Sequence, residues 1–201
     1  MSLGWHVFRD IIALQNLIRR WSLETLTFFF SWGESAVTLE DLERLFVPLS
    51  MGVLNAMELE LSEEETKIKD KLYKAFRGCT TSPNDQRARF SAWILAFKKS
   101  GNHAVMRAAF LVMWLGKCIF NCDPVQHIKP FTFSLAIKLS QGMSLLLGAL
   151  FLACLYSELD QLHHNELASS PIQIVDSGVN IVTLQAFAWE CSRSYLSVGK
   201  A

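Results

Sequence analysis

Cys118 and Cys122 stand four positions apart with His127 following, which are the residue types that bind zinc. The spacing is loose. No paired CxxC or HxxxH partner completes it, so Cys118 reads as a packed thiol inside an apolar helix and no metal site is expected. Asp160, His163 and His164 fall at i, i+3 and i+4 with Glu166 close by, but a metalloprotease helix needs HExxH and this order is HH-x-E. They read as polar residues near a helix end. A nucleophile elbow G-x-S-x-G and a Walker loop are both missing, so neither catalytic residues nor a cofactor site is expected.

Two further sets suit binding rather than catalysis. Arg87 and Lys98 are eleven positions apart, which returns to nearly the same face of a helix at about 100° per residue. With Lys99 and Arg107 they would make a modest basic patch for nucleic-acid phosphate, against the plainer reading of ordinary surface charge. Trp32, Gly33 and Glu34 occupy the tip of an expected hairpin, where an exposed Trp32 would be an aromatic anchor for a partner. The equal alternative folds Trp32 back onto the first helix and uses Glu34 to cap backbone amides.

The elements that must position these residues are legible in the pattern. Val7, Ile11, Leu14, Ile18 and Trp21 recur at steps of four and three, the stripe of an amphipathic first helix. Thr27 to Phe30 is a β-branched and aromatic run, Trp32-Gly33 supplies a turn, and Ala36-Val37-Thr38 is expected to return as the second strand. Thr38 suits an N-cap, with Glu40 and Asp41 in the first turn of a helix to Phe46. Pro48 and Gly52 mark a loop. Ser62-Glu63-Glu64-Glu65 is a capping box, and Ile68, Leu72 and Phe76 line one face of its helix. Glu63 with Lys67, Glu65 with Lys69 and Asp70 with Lys74 form i,i+4 pairs, read as a solvated face.

Beyond a linker from Gly78 to Pro83, with Ser82-Pro83 as a helix start, Phe90, Trp93, Ile94 and Phe97 form a core stripe. Asn102 caps a central helix from Ala104 to Phe120, and further helices are expected over about Phe131 to Gln141, Met143 to Asn165 and Asn180 to Tyr195. The expected fold is mainly α, an irregular multi-helix domain with one short β-hairpin near the N-terminus.

With 51% hydrophobic residues, 14 Phe and 6 Trp in 201 residues, the chain can bury a substantial core as one unit over 1–201. Lys plus Arg and Asp plus Glu both number 19, so no global field draws in nucleic acid. Five Cys and an opening Met1 to His6 without a secretory n-region fit a reducing compartment without disulfides. Leu139 to Ser157 is free of charge and, at about 1.5 Å per residue, nearly long enough for a bilayer core of about 30 Å. Ser140, Gln141, Gly142 and Ser144 make its first third polar, so a buried core helix is expected rather than a membrane span.

The order RW-x-x-ET-x-TF from Arg20 to Phe28, then WGE-x-x-VTLEDL from Trp32 to Leu42, closely resembles the plant mobile domain, also called the aminotransferase-like plant mobile domain. Further blocks follow in the family's order: Arg89-Phe90-Ser91-Ala92-Trp93, Ala108 to Lys117, Phe133 to Leu139, Leu155 to Leu159 and Leu184 to Glu190. The chain departs from the family at Leu45 to Gly52, at Asn121 where proline is usual, and at Met143 and Ser144. It also stops soon after Trp189-Glu190, as a shortened copy would. The resemblance implies a non-enzymatic nuclear interaction or scaffold domain, similar to plant proteins of transposon silencing, gene-expression control and meristem maintenance. It further implies a protein partner, a phosphatase long-form homologue among them. A nucleic-acid-binding domain derived from a mobile element is the alternative. The aminotransferase-like label invites pyridoxal phosphate, but no Gly-rich βα phosphate loop or α/β alternation supports it, and no cofactor is expected.

Overall fold

Leu14, Leu17 and Ile18 are buried along the first helix, α1 (Ile11–Ile18), which stops before Arg19 and Arg20 turn the chain into a small sheet. The structure, a computed structural model, describes residues 11–45, 52, 54–56, 58–80, 87–98, 101–122, 126–167 and 179–198. Trp21 does not extend the helix. It opens strand β1 (Trp21–Ser22), which pairs antiparallel with β2 (Thr27–Phe30) at Trp21 to Phe28 and Ser22 to Thr27. The connecting turn brings the Leu26 amide to the Ser22 carbonyl at 2.9 Å and holds Leu26 at φ +55°.

The return strand is β3 (Gly33–Ser35), in register Phe28 to Ser35, Phe29 to Glu34 and Phe30 to Gly33. Ser31-Trp32 is thus the two-residue loop, the returning strand lies earlier than the expected Ala36 to Thr38, and the sheet has three strands in the order β1-β2-β3. Val37 is released from pairing and buried, while Thr38 caps α2 (Leu39–Leu45) as expected. The Thr38 hydroxyl accepts from the Asp41 amide at 3.3 Å, and the Thr38 amide donates to the Asp41 carboxylate at 2.8 Å.

Strand β4 (Leu54–Asn55) pairs in parallel with β5 (Leu145–Leu146), a pairing that the sequence pattern does not announce. Gly52 lies so close to the backbone of Leu145 and Leu146 that a Cβ there would overlap it. Helix α3 (Glu63–Gly78) carries the full capping box, with the Ser62 amide 2.6 Å from the Glu65 carboxylate. The same Glu65 carboxylate receives the Lys138 ammonium at 2.8 Å, and both side chains are buried. Glu65 therefore belongs to the interior rather than to a solvated pair with Lys69.

Helix α4 (Phe90–Phe97) buries Trp93 but leaves Ile94 half exposed, so the stripe is narrower than expected. Helix α5 (His103–Trp114) begins on an Asn102 side-chain cap, 3.1 Å from the Val105 amide. It then opens into a π turn over Leu115–Ile119, where the Phe120 amide reaches back to Leu115 at 2.7 Å, instead of continuing as α-helix to Phe120. The wider turn directs Leu115, Gly116 and Ile119 inward and leaves Cys118 exposed.

Leu139 to Ser157 is not one helix. Helix α6 (Thr132–Ser140) ends at Gln141-Gly142, with Gly142 at φ +84°, β5 follows, and α7 (Gly148–Leu167) begins only at Gly148. No helix among the described residues is long and apolar enough to cross a membrane. The last helix, α8 (Ile181–Val198), starts on the Asn180 side chain, 3.2 Å from the Thr183 amide.

These elements pack as two neighbouring groups on one continuous core. Helices α3, α4, α5 and α6 contact one another, and Trp93, Phe76, Tyr73 and Phe133 meet between them, with Trp93 and Phe133 stacked at 5.7 Å. The three-stranded sheet, α1 and α2 lean on α7 and α8. The fold is mainly α, with the sheet held against the C-terminal helices. Pro48, Ser82 and Pro83 lie outside the described residues.

Candidate functional site

The β2–β3 hairpin combines buried and exposed aromatic rings on opposite faces of four residues. In a strand, alternate side chains point to opposite sides, so Phe28 goes to the core and Phe29 outward. Phe28 is fully buried between Trp21, 4.8 Å away by ring centroids, and Phe187 of α8 at 5.4 Å. Phe30, on the same face, lies 6.4 Å from Phe28 and carries the Trp32 ring stacked at 4.6 Å with only 6° between planes. Gly33 stands opposite Phe30 and puts no side chain beside it; its φ of +136° is a conformation that residues with a Cβ rarely adopt.

Trp32 is 47% exposed and rests on Phe30 of its own hairpin, and the guanidinium of Arg20 sits 5.6 Å from the centre of that Phe30 ring. Glu34 bonds a side chain rather than capping a backbone amide. Its carboxylate accepts from the Thr27 hydroxyl at 3.0 Å, and Thr27 in turn lies 2.7 Å from the Thr25 hydroxyl. Phe29 faces Glu34 across the register and is also 47% exposed. The hairpin therefore exposes Phe29 beside Glu34 on its outward face, and Trp32 at its tip on the other, where ring contacts through Phe30 and Phe28 lead to the core. Phe29 is absent from the residues that spacing singles out, although the alternation within Phe28-Phe29-Phe30 carries the signal.

The base of the hairpin is anchored by polar contacts that spacing along the chain does not reveal. The Trp21 indole nitrogen donates to the Asp160 carboxylate at 2.7 Å, and the Tyr156 hydroxyl donates to the Val37 carbonyl at 2.6 Å. Burial, followed by the nearby Asp41 charge, pushes the Tyr156 hydroxyl above its ordinary pKa. Asp160 and His163 thus serve the junction with the N-terminal elements, His163 lying 3.5 Å from the Ile18 carbonyl, and His164 turns to the Asp160 carbonyl at 3.0 Å.

Arg87, Lys98 and Arg107 are not related as one helix would relate them. Arg87 precedes α4 in extended backbone, where Ala88 bridges Thr80 and Arg89 bridges His127, so the eleven-residue helical spacing to Lys98 does not apply. Lys98 is exposed just past the end of α4. Arg107 is on α5 with its guanidinium 3.3 Å from the Ser140 carbonyl. Lys99 lies outside the described residues.

Among the described residues no three His, Cys, Asp or Glu side chains gather as metal ligands. Cys118 points outward, and His127 pairs its backbone with Arg89. Cys122 instead meets Cys154 of α7. The Cys154 thiol hydrogen-bonds Cys122 and brings it down to about 7 against the opposing effect of burial, with the Lys129 charge acting in the same direction. Cys154 is pushed up by that same hydrogen bond and by burial.

A family model described as the plant mobile domain matches residues 5–193. No curated protein matches the chain, and no solved structure does.

Proposed function

Because the chain belongs to the plant mobile domain family, we propose that it is a non-enzymatic interaction module of the nucleus, acting as a scaffold in transposon silencing, gene-expression control or meristem maintenance. The observation that supports a binding role is the hairpin itself, where Phe29 on the outward face of β2 and Trp32, stacked on Phe30 of the other face, each keep about half of their surface in water. A ring held in place, as Trp32 is by Phe30, loses little conformational freedom when a partner covers it, which is why rigid aromatic side chains dominate the energetics of many interfaces. Glu34, opposite Phe29 in the register, would favour a partner with a basic or hydrogen-bond-donating rim around the pocket that takes Phe29. A phosphatase long-form homologue is the partner class that the family suggests.

The test is affinity purification of the tagged chain from plant nuclei, with and without nuclease, for the natural sequence and for the double variant Phe29→Ala/Trp32→Ala. A nuclease-resistant partner that is retained by the natural chain and lost from a variant with unchanged circular dichroism is the expected result. Partners that disappear with nuclease, or that ignore both substitutions, would move the function to nucleic-acid binding or to another surface.

A further inference from the structure

Cys122 follows the π turn at the end of α5, and Cys154 lies in the second turn of α7, so the pair joins two elements that are distant in sequence. Both thiols are half-buried and line one small cavity with Asn121, Glu158 and Asn180, with room for about one water-sized molecule. The two thiols are hydrogen-bond partners at this cavity, and the partnership lowers the pKa of Cys122 and raises that of Cys154. The Lys129 ammonium reaches the Cys122 carbonyl at 2.5 Å, which fixes a positive charge beside that sulfur, while the Glu158 carboxylate opposes it. We propose that Cys122 and Cys154 are a thiol–disulfide switch that closes under a small hydroperoxide and ties the end of α5 to α7.

The chemistry follows from the asymmetry of the two sulfurs. The Cys122 thiolate attacks the terminal oxygen of the hydroperoxide, the O–O bond breaks, and the leaving hydroxide or alkoxide takes up a proton; Cys122 becomes a sulfenic acid. The Cys154 thiol, which lines the same cavity, then attacks the Cys122 sulfur, the S–OH bond breaks, and the oxygen leaves as water with the thiol proton. Two electrons pass from the two sulfurs to the hydroperoxide. A dithiol reductant reverses the bond by exchange. The π turn gives the bond its structural meaning, because it places Leu115 and Ile119 inward and lets the chain after Phe120 approach α7, where Phe151 and Leu155 line the same cavity.

The experiment uses the full chain at pH 7 with hydrogen peroxide, timed alkylation of the remaining thiols and peptide mass mapping. A Cys122–Cys154 cross-linked peptide, reversible by dithiothreitol, is expected to form at least about threefold faster than the exposed Cys118 is oxidised, since thiolate fraction and accessibility set the rate. Adding dimedone to Cys154→Ser should trap the sulfenic acid on Cys122, whereas Cys122→Ser should leave Cys154 alkylatable. Oxidation of Cys118 ahead of Cys122, or a cross-link that joins either cysteine to a different one, overturns the proposal. Mapping of the natural chain decides this even if a serine variant fails to fold.

Discussion

The Trp21 indole N–H and the Asp160 carboxylate, 139 positions apart, are 2.7 Å from each other, and the bond places one end of the sheet on α7. Trp21→Phe keeps most of the ring contacts with Phe28 and Tyr156 but leaves the partly buried carboxylate without its donor. Bonds to charged groups contribute about 1.5–3 kcal/mol, so chemical denaturation should show a loss of about 2 kcal/mol, and adding Asp160→Asn to Trp21→Phe should recover part of it. Glu65 is a second residue with two duties, since it caps α3 through Ser62 and pairs with Lys138 in the interior. Burial pushes its carboxyl up, but the Lys138 ammonium, the Ser62 amide and the Gln141 side chain outweigh that effect and hold it below its ordinary value of 4.5. Stability from this site is therefore complete above pH about 4.5 and is lost as pH falls through the lower folded value. Glu65→Gln, which keeps an N3 acceptor, should flatten that acid-side slope in unfolding measured from pH 7 down to pH 3. Lys138→Met strands the buried carboxylate and should cost about 3 kcal/mol at pH 7, most of it recovered when both changes are combined.

At the scale of the element, the hairpin hands the chain to α2 through a single cap. Thr38→Ala removes the acceptor for the Asp41 amide and should cost about 1 kcal/mol in thermal or denaturant unfolding, whereas Thr38→Ser should be nearly neutral. The parallel β4–β5 pair is more fragile because Gly52 runs against the Leu145 and Leu146 backbone. In Gly52→Ala the overlap is with main chain rather than a movable side chain, so the pairing must open. Hydrogen exchange at Leu145 and Leu146 should then accelerate by at least about tenfold, beyond the change at the helical core of α5.

Across the whole molecule, the N-terminal sheet and the C-terminal helix stabilise each other. Phe28 is buried under Phe187, while α1 and α2 both touch α8. Phe187→Ala removes that cover and should cost about 3–4 kcal/mol in denaturant unfolding. Because the ring it uncovers belongs to the sheet, the same variant should also raise binding of a hydrophobic dye before the main transition begins.

Local rules were sufficient wherever the responsible contact lies within a few residues. Ser62, Thr38, Asn102 and Asn180 mark helix starts because a cap is a bond between neighbours, and Thr27 to Phe30 forms a strand because its side chains suit a half-buried pleated surface. The ordered blocks from Arg20 to Glu190 were also enough to identify the family, matched over residues 5–193. Contacts between distant residues decided the rest. Trp21 carries a helical spacing yet becomes a strand because Phe28 and Asp160 are there to receive it. The helix boundary at Gly142 is legible within Leu139 to Ser157, but the strand that follows it is not, because Leu145 and Leu146 pair with the distant Leu54 and Asn55 and delay the next helix to Gly148. Glu65 reads as surface charge until Lys138 arrives from α6, and the outward face of the hairpin exists because α8 covers only the side that holds Phe28. Periodicity along a chain records which side chains share a face, while burial depends on which element comes to cover that face.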